Sequence, residues 1–173
     1  MRNKMQIKEF IEKLKELEAC GSAIKWSEQF TTAQEAWDAC ERGDWMLWLI
    51  GSMDDSKPYS DERKPLVSVS LKCARLAWEW MPQASKDCIV LYEKWADGEA
   101  ISKEELIVAA YAADTAAAHA AHAADAAAAD ATYAAYAAYA AYAADAAATL
   151  KQCADIVRKD YPNIDTILET KTK

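Results

Sequence analysis

The chain has 173 residues, a formal net charge of −8 and 53% apolar residues. That size suits one domain able to bury a core without metal or disulfide staples. The surplus of acid argues against a nucleic-acid groove, which needs clustered Lys and Arg. Four glycines and four prolines are too few for the turns of an all-β fold. An all-α, compact multi-helix bundle is therefore expected.

Taken in chain order, residues 5–20 read as an amphipathic helix, with Phe10, Ile11, Leu14 and Leu17 on one face and Gly21 as its stop. A short irregular piece carries Ile24 and Trp26. Thr31 or Thr32 then caps a helix that aligns Ala33, Ala36, Trp37 and Cys40 and ends at Gly43. Asp44 is placed to cap the next helix, Trp45 to Ile50, which stops at Gly51. Its unbroken apolar run predicts a central place in the core. Residues 52–65 hold two prolines and seven charges and read as a solvated loop, with a helical turn near Ser60. A helix over 66–81 sets Val69, Cys73, Leu76, Ala77 and Trp80 on one side. Ser85 caps a helix containing Ile89, Val90, Leu91, Tyr92 and Trp95, which Gly98 ends. The pair Ser102 and Glu105 forms a capping box at the start of the alanine-rich region.

Residues 109–149 hold 27 alanines in 41 positions, and no Gly or Pro interrupts 103–161. One helix of that length would reach about 90 Å at 1.5 Å per residue. A break is expected, with Asp114-Thr115 and Asp130-Ala131-Thr132 as the available caps. Tyr111, Asp114, His119, His122, Asp125, Asp130, Tyr133 and Tyr136 share one arc, and the opposite face is nearly pure alanine, a surface suited to close helix packing or self-association. The chain thus divides into a domain over 1–161, with Trp-rich helices over 5–100 and alanine-rich helices over 102–161, and a tail over 162–173 in which Ile164, Ile167 and Leu168 can dock.

Little here suggests a reaction. The five cysteines form no C-x-x-C pair and fit reduced thiols in a cytoplasmic protein. His119, His122 and Asp125 lie three apart, whereas metal-binding helices place His at i and i+4, so no metal and no cofactor is expected. No nucleophile elbow or phosphate loop occurs. The N-terminus lacks the apolar core of a signal peptide, so none is expected, and Asp114, Asp125, Asp130 and Asp145 break the apolar run over 106–149, which cannot sit bare in lipid.

The seven tryptophans all lie in the first hundred residues, more than one small core needs. Trp78 and Trp80 are about 200° apart on a helix and cannot face the same core. Arginine beside tryptophan is the common chemistry of binding hot spots. Candidate binding residues are therefore Arg42, Asp44, Trp45, Trp48, Arg75, Trp78, Tyr133 and Tyr136. Over 99–149 seven acids face Lys103 alone, a field that would suit a basic partner.

The run Cys40-Glu41-Arg42-Gly43-Asp44-Trp45-Met46-Leu47-Trp48-Leu49-Ile50-Gly51, with Cys73-Ala74, Lys94-Trp95-Ala96-x-Gly98-Glu99 and the alanine-rich region after them, resembles an immunity-protein family of bacterial genomes and prophages. The resemblance spans residues 20–160. It implies an all-α, non-enzymatic protein that neutralises a toxin or defence component by binding, and it carries no catalytic residue. Two other readings stand beside this one. The first is a sponge in which a Trp/Tyr/Arg pocket stacks a nucleotide-like small molecule. The second is a helical module that forms homo-oligomers through its alanine face.

Overall fold

The computed structural model describes residues 5–115 and 134–169; of Trp80 and residues 134–145 it describes the backbone. The fold is all-α. Among the described residues the only extended pairing is a single antiparallel bridge between Gln6 and Thr32. The chain forms two compact units, one from Met1–Ser56 together with Leu150–Lys173 and one from Lys57–Thr149.

The first unit begins with α1 (Ile7–Glu16), which buries Phe10 and Leu14 one turn apart. Its end is not made by Gly21. Glu18 adopts a left-handed φ of 59°, and the amides of Glu18 and Ala19 donate to the carbonyls of Lys15 and Leu14 at 3.0 and 2.9 Å. This is a Schellman closure with glutamate in the place where glycine is cheapest. Gly21 instead opens α2 (Gly21–Ser27), so the segment read as irregular is helical and carries Ile24 and Trp26.

Thr32 caps α3 (Ala33–Ala39) through a full capping box with Glu35. Ala33, Ala36, Trp37 and Cys40 are all buried, as their spacing predicts. Helix α3 stops at Cys40, and Gly43 starts α4 (Gly43–Met53) instead of ending its predecessor. Asp44 therefore lies in the first turn with Arg42 at the cap position, and Gly51 falls inside the helix. The reason for Gly43 is distant in sequence. A Cβ there would stand 2.3 Å from Cys153 Cβ and 2.7 Å from the Ala154 amide nitrogen, so only glycine lets α4 approach α8 (Ala134–Asp160) so closely.

The last residues of the chain tie this unit together. The Trp37 indole donates to the Tyr161 carbonyl at 2.9 Å. Gln34 donates to the Pro162 carbonyl at 3.1 Å and accepts from the Ile164 amide at 3.1 Å. The Arg158 guanidinium donates to the carbonyl of Cys40, just past the end of α3, and to that of Trp37, which also accepts the Cys40 amide. Asn163 caps α9 (Ile164–Leu168), whose Ile164, Ile167 and Leu168 are buried. The three side chains read as able to dock do so, as one short helix within the segment expected to be a tail.

The second unit opens with a 3-10 turn, Asp61–Arg63, leading into α5 (Lys64–Ala74) with Pro65 in its first turn, where the missing amide costs nothing. The helix read over 66–81 is two pieces, because Arg75–Trp80 tightens into 3-10 geometry before Pro82. Pro82, not Ser85, occupies the cap position of α6 (Gln83–Ala96). Gly98, at φ +98°, closes α6; its amide and that of Glu99 donate to Trp95 and Lys94 at 3.1 and 2.9 Å. The Ser102–Glu105 capping box forms as read and starts α7 over residues 103–115. Leu66, Val69, Cys73, Ile89, Trp95 and Leu106 make this core. Burial pushes the Tyr92 phenol up to about 12, and its hydroxyl lies 3.4 Å from the Leu106 carbonyl.

The expected caps at Asp130-Ala131-Thr132, the histidines His119 and His122, and Ala128 in the alanine face lie outside the described residues. No helix among the described residues is long and apolar enough to cross a membrane.

Candidate functional site: an indole-walled cleft

Five segments of the first unit converge on a cavity of about 380 Å³. Phe10 and Leu14 of α1 form its floor with Ala36 and Trp37 of α3, while Trp26 of α2 and Trp45 and Trp48 of α4 supply the aromatic wall. Glu18, Ala19 and Cys20, in the turn between α1 and α2, complete the lining with Asp44. Volume and apolar character both fall in the range of binding pockets, at its small end.

The wall is a network of rings. Trp26 lies against Phe30 with centroids 4.8 Å apart and meets Trp45 edge-on at 6.0 Å. Trp48 remains 39% exposed. The apolar run of α4 is thus not wholly core: Met46, Leu49, Ile50 and Met53 are buried, the first two also bordering the cleft, whereas Trp45 and Trp48 line it while staying partly exposed. A helix turns 100° per residue, so an unbroken apolar sequence must present some of its side chains elsewhere.

Arg42, Asp44 and Trp45 form one assembly. The Arg42 guanidinium lies 4.4 Å from the Trp45 ring centre and donates to both Asp44 oxygens at 2.8 and 2.6 Å. These hydrogen bonds hold the Asp44 carboxyl below its ordinary value and raise Arg42. Asp44 is no helix cap because α4 begins one residue earlier, at Gly43; it lies inside the first turn, where its oxygens meet the Arg42 guanidinium. Cys20, exposed at the rim, is held below the usual thiol value by the Ser22 hydroxyl 3.3 Å away. Burial pushes the Cys40 thiol up. Among the described residues no cysteine is in a disulfide.

Of the eight candidate residues, the structure brings four to this place: Arg42, Asp44, Trp45 and Trp48. Arg75 and Trp78 belong to the second unit, where Arg75 stacks on Trp78 at 4.0 Å and holds both Glu93 oxygens at 2.8 and 2.5 Å. Tyr133 lies outside the described residues, as does the side chain of Tyr136. Sequence reasoning missed Glu18, Phe10, Leu14 and Trp26 as parts of a site. A helix stripe read alone gives burial, not the cavity it borders.

Among the described residues no group of three or more His, Cys, Asp or Glu could hold a metal ion. His119, His122 and Asp125, whose spacing of three led to the expectation of no metal, lie outside them.

Comparison with protein-family models, with curated proteins and with solved structures finds no match.

Proposed function

We propose that the chain is a non-enzymatic binding protein that sequesters a protein partner through the cleft of its first unit. Given the family resemblance, a toxin or a defence component is the expected class of partner, and neutralisation by capture is the expected outcome. One observation carries the reading: Trp45 and Trp48 are held half-exposed at the mouth of an apolar cavity, with Arg42 stacked on the first. Tryptophan and arginine around a recess are the chemistry from which interface hot spots are built.

The nucleotide-sponge reading draws less support. It needs an arginine to meet a phosphate, yet Arg42 and Arg75 belong to different units and each already holds a carboxylate through two bonds. Self-association through the alanine face rests chiefly on residues 116–145, whose side chains lie outside the described residues.

The test is affinity purification of the whole chain from its native host, with mass analysis of the proteins and of the small molecules released on denaturation. A stoichiometric protein that is absent when Trp45→Ala is used as bait is the expected result. A nucleotide in the denatured supernatant with no such protein would replace this reading by the sponge.

A further inference from the structure

We infer that the cleft receives an apolar and basic segment of the protein partner, a large apolar side chain entering beside Trp26, Trp45 and Trp48 while a neighbouring Lys or Arg meets Glu18 at the rim. The inference rests on the binding reading above and adds the charge of the occupant.

The lining contains two carboxylates, Glu18 and Asp44, and among the described residues no lysine or arginine. Asp44 is already held by Arg42, which leaves Glu18 as the carboxylate open to a newcomer. Glu18 is exposed, and no cation among the described residues pairs with it. The lysines of the last turn of α1 are taken, Lys13 by Glu16 at 3.3 Å and Lys15 by Glu12 at 2.8 Å. Glu18 also follows the C-terminus of α1, the end at which a helix attracts positive charge. Its left-handed backbone would favour glycine, so local backbone preference does not account for a carboxylate there.

The aromatic wall points the same way. The face of Trp45 already holds the Arg42 guanidinium at 4.4 Å, and Trp48 presents an exposed ring of the same kind to any cation beside it. With a net charge of −8, the chain draws basic surfaces toward it before contact. A cavity of about 380 Å³ bordered by four helices suits anchoring side chains laid in from one face of a segment, as in helix-in-groove recognition.

The experiment titrates the full chain with two model peptides of the same leucine pattern, one with lysine and one with glutamate at the remaining positions. Tryptophan emission and calorimetry at 0.15 M salt provide the readouts. The lysine peptide should bind about tenfold more tightly than the glutamate peptide. Glu18→Gln should reduce its affinity by about 2–5-fold, the range of one exposed charge pair. Ala19→Phe, which fills the mouth, and Trp48→Ala should each reduce it by about tenfold or more, with melting curves confirming that each variant is folded. Equal binding of the two peptides, or lysine-peptide binding unchanged by Ala19→Phe and Trp48→Ala, would overturn the inference. The second result would mean that the acidic surface alone attracts the peptide. A host partner lost with Trp45→Ala, but captured equally by Glu18→Gln and beside peptides of equal affinity, would overturn the charge assignment and leave the binding reading standing.

Discussion

The molecule contains the same small device twice, and the two copies differ in what surrounds them. In the first unit Arg42 stacks on Trp45 and grips Asp44; in the second Arg75 stacks on Trp78 and grips Glu93. The distances are nearly alike. Arg42 and Asp44 are two residues apart, and their assembly stands at the mouth of a cavity. Arg75 and Glu93 are eighteen apart, and their bond joins the 3-10 segment to α6. An arginine, an indole and a carboxylate do not by themselves make a site. In the first unit they border a recess, and that recess is built by packing that runs far along the chain.

The largest effect should come from breaking that packing. Gly43→Ala places a methyl group 2.3 Å from Cys153 Cβ, and α4 must move away from α8. Unfolding free energy should fall by about 3 kcal/mol, the upper part of the overpacking range. Gly98→Ala in the second unit meets no atom within 4 Å and bears only the strain of φ +98°. Its expected cost is about 1–2 kcal/mol. Chemical denaturation of both variants checks this, and equal losses would show that α4 and α8 can separate freely.

Next in size, truncating the two stacked indoles should separate the units functionally. Trp45→Ala should weaken partner binding by about 2 kcal/mol, roughly thirtyfold. Trp78→Ala should leave it within experimental error. Titration of each variant against the captured partner provides the measurement, and a loss in Trp78→Ala equal to that in Trp45→Ala would mean that the second unit also carries the interface.

Smaller effects should appear with pH. Asp44 and Glu93 are both held below their ordinary values by their arginines. Each contributes stability that is in place above the ordinary carboxylate range, about pH 4, and lost as pH falls through the lowered values. Asp44→Asn should remove its share of the acid loss at a cost of under about 1 kcal/mol at neutral pH, since the pair is largely exposed. The Cys40 thiol is raised by burial, so its contribution runs oppositely: present below the ordinary thiol value of about 8.5 and lost as pH rises beyond it. Cys40→Ala should flatten the alkaline side of the stability profile. A profile unchanged between pH 8 and 10 would place that thiol in contact with solvent.

Much of the fold was legible because its signals are short. Thr32, one of the two caps offered for α3, Ser102 with Glu105 and Gly98 after α6 each act within a few residues, and each takes the role the sequence assigns it. The failures have a common physical cause. Gly43 looks like a terminator, but it is glycine because of Cys153, 110 residues away. Asp44 looks like a cap, but α4 already begins at Gly43, and the Asp44 carboxylate sits in the first turn beside the Arg42 guanidinium. Glu18 occupies a left-handed position that the pattern assigned to Gly21. Of the site, the Arg42 to Trp48 group was legible as hot-spot chemistry. The cavity was not, because it needs α1, α2, α3 and α4 together.

The most direct test of the account is amide hydrogen exchange of the chain alone and with its captured partner. Protection should rise in residues 18–27 and 42–49, which border the cleft, and stay unchanged in α5 and α6. Protection confined to α5 and α6, with the cleft exchanging as before, would contradict the central claim.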